Sequence, residues 1–76
     1  MKRVTYRMIR FTAVNRYVAV AWNYDHAVLI ATSDHATYTE ARAELDKLCT
    51  ERNVQLQWFD GEYTCDGEGY SLEPIE

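Results

Sequence analysis

Polar and hydrophobic residues alternate along much of the first 31 residues, in a pattern typical of β-strands. Val4–Ala13 is rich in β-branched and aromatic residues with arginines at intervals, and Tyr17–Tyr24 alternates between two faces. Ala27–Ala31 is a short apolar run that suits a buried strand. Turn-forming residues at 14–16 and 23–26 separate these segments. The pattern therefore predicts three consecutive strands joined by short turns, an antiparallel meander.

The period changes from two to about 3.6 residues near Tyr38, which predicts a single helix over about residues 38–52. Its apolar stripe recurs at i, i+4, i+7 and i+8, and consists of Ala41, Leu45, Leu48 and Cys49. Thr37 and Glu40 have the spacing of a capping box at the start of this helix. Asn53 suits the left-handed position that follows a helix C-cap.

Strict alternation returns after the helix, over Val54–Trp58. Asp60-Gly61 favours a tight turn, so Val54–Phe59 and Glu62–Asp66 are expected to form a hairpin. Gly69–Leu72 is a further short candidate strand at an edge, before Pro74.

This order of elements predicts an α+β fold in which an antiparallel sheet of about five strands, in βββ-α-ββ order, carries one helix on one face. Residues 1–76 are expected to form a single domain, because the chain is short and has no linker-like segment. Leu45 and Leu48 are expected to be buried against the sheet. The opposing surface is expected to come from Val18, Val20, Leu29, Val54, Leu56 and Trp58.

Composition indicates a folded protein, because 47% of the residues are hydrophobic and ten are aromatic. The apolar stretches are far shorter than the roughly 20 residues of a membrane span, so the expectation is a cytoplasmic protein that does not enter a membrane. The two cysteines, Cys49 and Cys65, are too few for a secreted disulfide scaffold and are expected to be free thiols.

Candidate chemistry is sparse along the chain. Asp25-His26 and Asp34-His35 carry metal-ligating side chains, but they lack the close pairing that a structural zinc site needs. Cys, Ser and His residues that are able to form a nucleophilic site occur without a nucleophile elbow or a glycine-rich loop. The expectation is a protein that is not an enzyme, with no catalytic residues, no bound metal and no cofactor.

Charge is sorted along the chain, and this sorting suggests two alternative binding surfaces. Residues 1–24 contain five bases and no acid, whereas residues 53–76 contain six acids and no base. The acidic and aromatic C-terminal part predicts a surface for a protein partner, formed by Asp60, Glu62, Tyr63, Asp66, Glu68 and Tyr70. The basic aromatic N-terminal part suggests an alternative nucleic-acid surface with Arg3, Arg7, Arg10 and Arg16. If the two parts meet within one sheet, their charges instead neutralise each other.

A chain of 76 residues with a net charge of −4, a few strands around one helix and no catalytic motif resembles the small inhibitors of host defence that phages and mobile elements encode. These include anti-CRISPR proteins, anti-restriction proteins and phage inhibitors of host polymerase. The resemblance implies a monomer or homodimer that docks on a host protein or nucleoprotein complex which handles nucleic acid, and that blocks it sterically or by imitating nucleic acid. The alternative is a small nucleic-acid-binding or transcription-regulating protein that uses the basic strands.

Overall fold

A computed structural model describes residues 2–23 and 28–66 of the chain, and these residues form an α+β fold of one sheet and one helix. In chain order the elements are β1 (Lys2–Phe11), β2 (Arg16–Asn23), β3 (Val28–Ala31), α1 (Tyr38–Glu51) and β4 (Val54–Cys65). The predicted class, the three-strand meander and the single helix are therefore confirmed.

The sheet is mixed rather than antiparallel, and its four strands lie in the order β3-β2-β1-β4. β2 is antiparallel to both β1 and β3, but β4 pairs with β1 in parallel. The prediction of an antiparallel sheet of about five strands is therefore wrong in this respect. The physical reason is the crossover: α1 carries the chain back across the sheet, so β4 has to run in the same direction as β3.

The predicted hairpin around Asp60-Gly61 does not form. Residues 54–65 are instead one continuous 12-residue strand, which pairs with β1 along its whole length. The register shifts twice, so Gln57 and Asp60 are extra residues on β4. Gly61 has φ +119°, which favours glycine and lets the strand continue beyond the second bulge. The candidate edge strand Gly69–Leu72 lies outside the described residues.

The predicted ends of the helix are confirmed. The Thr37 hydroxyl accepts a hydrogen bond from the Glu40 N–H at 3.2 Å and donates one to the Glu40 carboxylate at 2.9 Å. Asn53 follows the C-cap with φ 56°, the left-handed conformation that ends many helices. Asn15, in the β1–β2 turn, also adopts the left-handed conformation, with φ 53°, because asparagine tolerates it better than most residues.

The main core lies between α1 and one face of the sheet. Leu45 is fully buried there as predicted, whereas Leu48 is only half-buried at its margin. Ala19 and Ala21 are fully buried at the centre of the sheet, and their small side chains allow the helix to approach closely. The buried members of this cluster are Val4, Met8, Ala19, Ala21, Ile30, Ala41, Leu45, Cys49 and Val54.

Four of the six sheet residues expected beneath the helix lie on the opposite face. Val18 and Val20 are buried with Phe11 in a second cluster, against which Leu29 packs. Trp58, which pairs with Thr5 on this face, is exposed. The prediction is correct for Val54 and Leu56 and wrong for the other four. Alternation in β2 assigns its residues to two faces of the sheet. Only the packing of α1 on Ala19 and Ala21 decides which of the two faces the helix covers.

Candidate protein-binding surface

β4 exposes large hydrophobic side chains along an edge of the sheet. Trp58 is 67% exposed, Phe59 42% and Tyr63 43%, whereas Val14, which is 41% exposed, lies outside this strand, in the β1–β2 turn. Among residues 2–23 and 28–66, no strand pairs with the outer edge of β4. Exposed aromatic residues on an unpaired edge form a surface suited to contact with another molecule.

Trp58 and Phe59 are neighbours in β4, so their rings lie on opposite faces of the strand. Phe59 lies on the helix side, where its ring centroid is 5.0 Å from that of Tyr6. The guanidinium carbon of Arg42, on α1, lies 4.8 Å from the centroid of the Tyr6 ring. In the sequence, two adjacent aromatic residues indicate that both faces of this strand carry a ring. Alternation alone, however, assigns Trp58 to the core.

On the face opposite the helix, the Arg7 side chain joins β1 to β4. Its guanidinium carbon lies 4.5 Å from the ring centroids of both Trp22 and Tyr63, and its Nη2 forms a 3.0 Å ion pair with the Asp60 carboxylate. The Tyr63 hydroxyl donates to the same Asp60 oxygen at 2.8 Å. Arg7 is thus held between two rings and neutralised by one acid.

The phenol of Tyr63 reports on this arrangement. Its hydrogen bond to Asp60 raises the pKa of Tyr63 above the ordinary value of 10.0, since the neutral phenol is the form that can donate. Neighbouring Arg7 acts in the opposite direction, as a positive charge favours the phenolate. Asp60 and Tyr63 are therefore coupled parts of one polar cluster at the β4 surface.

The predicted acidic residues are not equivalent in the fold. Asp60 is paired with Arg7, and Asp66 accepts a 3.3 Å hydrogen bond from the Thr12 hydroxyl. Glu62 is exposed on the helix side and makes no ion pair with any residue in the described part of the chain. The pKa of Tyr38, at the start of α1, is raised chiefly by burial and secondly by the charge of Glu62. Glu68 and Tyr70 lie outside the described residues.

The four predicted arginines do not form one basic surface. Arg7 pairs with Asp60, and Arg16 donates to Asp34 at 3.1 Å. Arg10 donates to the Asn15 side chain at 3.0 Å and lies over the Tyr17 ring. Arg3 is exposed near the start of β1 and shares strand parity with Arg7 but not with Arg10.

Ser33, His35 and Glu44 form a cluster that links the β3–α1 loop to the helix. One oxygen of Glu44 accepts from the Ser33 N–H at 2.9 Å and from its hydroxyl at 2.8 Å, and lies 2.7 Å from His35 Nε2. These hydrogen bonds, that of His35 first, lower the pKa of Glu44. Because serine and histidine share a single carboxylate oxygen, the geometry is that of a loop clamp rather than a serine-histidine-acid relay. No spacing rule in the sequence connects Glu44 with this loop.

The two cysteines lie on opposite faces of the sheet and are free. Cys49 is buried in the core beneath α1, and burial raises the pKa of its thiol. Cys65 packs beside the second cluster on the other face, so the sheet separates the two sulfur atoms. Within the described ranges, no group of three or more His, Cys, Asp or Glu side chains is arranged to hold a metal ion.

No protein-family model matches this chain, and no curated protein or solved structure resembles it significantly. In the described part of the chain, no helix has both the length and the apolar character needed to cross a membrane. The exposed aromatic residues of β4 are therefore the feature of the described residues that best indicates a function.

Proposed function

We propose that this chain is a small inhibitor that binds a host protein or nucleoprotein complex through β4. The observation that carries the proposal is that one edge strand exposes three rings, with Trp58 and Tyr63 on the face opposite the helix and Phe59 on the helix side. Tryptophan and tyrosine are enriched among the residues that contribute most binding energy at protein interfaces. A 12-residue strand held along its length by β1 presents these rings on a rigid support.

The charge pattern of the surface supports steric blocking over imitation of nucleic acid. A mimic needs several carboxylates that face solvent without internal partners, but Asp60 is neutralised by Arg7 and Asp66 is hydrogen-bonded to Thr12. Glu62 is the exposed acid that remains for a partner on this strand. The inhibitor therefore docks with aromatic contacts at the centre of its surface and uses Glu62 for long-range attraction.

The proposed class of target rests on the length and the net charge of the chain. A 76-residue chain with a net charge of −4 suits an inhibitor encoded by a phage or a mobile element that acts in the cytoplasm of its host. Its target is a host complex that handles nucleic acid, such as a CRISPR effector or a restriction enzyme. Direct nucleic-acid binding is less well supported, since Arg7, Arg10 and Arg16 are engaged with Asp60, Asn15 and Asp34.

The test is a plasmid-interference assay in bacterial strains that each carry one active CRISPR or restriction system. Expression of the chain is expected to raise the number of transformants that keep a targeted plasmid in at least one strain. Trp58→Ala should abolish this protection, because it removes the most exposed ring of the surface. Val14→Ala is the control, since it truncates another exposed hydrophobic residue, 41% exposed, that lies in the β1–β2 turn and not on β4.

Two results would count against the proposal. One is full protection by Trp58→Ala, which would move the binding surface away from β4. The other is a lack of protection in every strain together with tight, steeply salt-dependent binding of the purified protein to short oligonucleotides, which would favour the nucleic-acid alternative.

A further inference from the structure

The geometry of β4 points to the way in which the partner is held: we propose that an extended, basic segment of the partner adds as a fifth strand to the outer edge of β4 at Glu62 and Thr64. This inference rests on the proposed function for its partner, but it concerns the backbone of β4 rather than its rings. Addition of a peptide strand to an open sheet edge is a recurrent mode of recognition, in which main-chain hydrogen bonds supply affinity.

Only half of β4 has a regular edge. From Val54 to Asp60 the strand contains two bulges, and bulges twist an edge and interrupt its row of hydrogen-bonding groups. From Gly61 to Cys65 the pairing with β1 is regular, residue by residue, opposite Arg7 to Phe11. An incoming strand therefore fits the second half of β4 and not the first.

The direction of the backbone groups in this regular half follows from one hydrogen bond. The Thr12 N–H donates to the Cys65 carbonyl at 2.9 Å, so the backbone groups of Cys65 point towards β1. Directions alternate along a strand, and those of Tyr63 and Gly61 also point inward. The N–H and C=O groups of Glu62 and Thr64 therefore point away from β1, to the open edge. Two donors and two acceptors that no described strand pairs with lie there for a partner strand.

The side chains around this edge indicate the chemistry of the incoming segment. Glu62 and Thr64 lie on the helix side, where Glu62 is an exposed carboxylate with no ion pair among residues 2–23 and 28–66. Tyr63 lies on the other side, with Trp58 further along the strand. A segment that alternates lysine or arginine with an apolar residue would place its cations beside Glu62 and its apolar side chains beside Tyr63.

A second copy of this chain is a poorer occupant of the same edge. Two β4 strands paired about a twofold axis would bring their acidic stretches together, and residues 53–66 contain three acids and no base. Like charges placed opposite each other destabilise a strand pair. A basic partner segment removes this repulsion.

The test uses isotope-labelled protein and a synthetic octapeptide, blocked at both ends, that alternates lysine with valine or threonine. The peptide is expected to shift the Glu62 and Thr64 amide signals and to slow their hydrogen exchange, more than at any other described residue. A matched peptide with glutamate in place of lysine should bind at least tenfold more weakly. A basic peptide with two consecutive prolines after each lysine should also bind weakly, since consecutive prolines remove donors from both edges of an extended strand.

Thr64→Pro removes an outward N–H without removing a hydrogen bond to β1, so the fold is expected to survive. This variant should bind the lysine peptide at least tenfold more weakly, whereas Thr64→Val, which keeps the N–H, should bind it normally. Glu62→Gln should remove the preference for lysine over glutamate peptides. If Thr64→Pro does not fold, the proline peptide and Glu62→Gln still decide between edge pairing and simple charge attraction.

The proposal is overturned if the lysine and proline peptides bind equally, or if the signals that move lie on another surface. It is also overturned if the protein alone is a dimer in which the Glu62 and Thr64 amides are already protected, because the occupant is then a second copy. These measurements use no host target. Failure of edge pairing is therefore distinguishable from failure of the proposed inhibition, which Trp58→Ala tests in cells.

Discussion

At the scale of single residues, the most consequential positions are those where one side chain has several partners at once. Arg7 contacts two rings and one carboxylate, and thereby connects the basic start of the chain to its acidic second half. Thr32 is buried and accepts a 3.0 Å hydrogen bond from the Ala19 N–H, which satisfies a polar group in the centre of the sheet. Such residues connect parts of the chain that are distant in sequence, in a small domain whose hydrophobic core contributes little net stability.

Leu45→Ala is expected to lower the free energy of unfolding by about 2–5 kcal/mol, because it leaves a cavity in the tightest part of the core. Leu45 is fully buried, whereas Leu48 is half-buried at the edge of the same helix face. Leu48→Ala is therefore the matched control and should cost clearly less. Urea unfolding followed by circular dichroism measures both. Equal losses in the two variants would mean that the depth of burial assigned to α1 is incorrect.

At the scale of elements, the defining feature is a long parallel edge strand that contains an apparent turn signal. β4 absorbs Asp60-Gly61 as a bulge, because a ten-residue neighbour, β1, offers hydrogen bonds along the whole length of β4. The bulge also places the Asp60 carboxylate within reach of Arg7 and Tyr63. The local preference of Asp-Gly for a turn is outweighed by a strand pairing of this length.

Gly61→Ala is expected to destabilise the protein by about 1–3 kcal/mol through backbone strain alone. Gly61 has φ +119°, and a Cβ at this position would meet no atom within 4 Å, so crowding contributes nothing. Thr64→Ala is the control on the same strand, at an exposed site with ordinary strand geometry. Thermal unfolding compares the two. Unchanged stability of Gly61→Ala would show that β4 does not need the unusual conformation at its second bulge.

At the scale of the whole molecule, charge sorted in sequence is partly neutralised in space. The parallel pairing of β1 with β4 sets the basic and acidic parts side by side, so Arg7 meets Asp60 within one sheet. Among the side chains that β4 exposes are the carboxylate of Glu62 and three aromatic rings. In the described part of the chain, β4 therefore presents an aromatic edge with one acid, Glu62, that makes no ion pair.

The pH dependence of global stability should reveal the clamp between the β3–α1 loop and α1. The folded pKa of Glu44 is lowered from the ordinary value of 4.5, chiefly by the hydrogen bond with His35. A lowered acid pKa stabilises the folded state above pH 4.5, and this contribution is lost as the pH falls through the folded pKa. The difference in unfolding free energy between the natural protein and Glu44→Gln is thus expected to shrink below pH 4.5.

Urea unfolding at a series of pH values measures this difference. Glu51→Gln, which changes an exposed glutamate at the other end of the same helix, is the control and should show no such trend. If the curves for Glu44→Gln and the natural protein stay parallel at every pH, the clamp does not contribute to stability.

Local interactions account for what the sequence determined by itself. The meander, the helix with its Thr37 cap and Asn53 terminus, and the burial of Leu45 depend on neighbours within about four residues or on simple periodicity. For the candidate surface, the sequence correctly indicated Tyr63 and Glu62 as exposed positions on a strand.

Long-range pairing decided the rest. Whether β4 continues through Asp60-Gly61, and whether it lies parallel to β1, depends on contacts between residues about 50 positions apart, which no local pattern encodes. The same holds for the face of β2 that α1 covers and for the pairing of Arg7 with Asp60. In each case two arrangements satisfy the local preferences equally, and only the packing of the complete sheet against the helix distinguishes them.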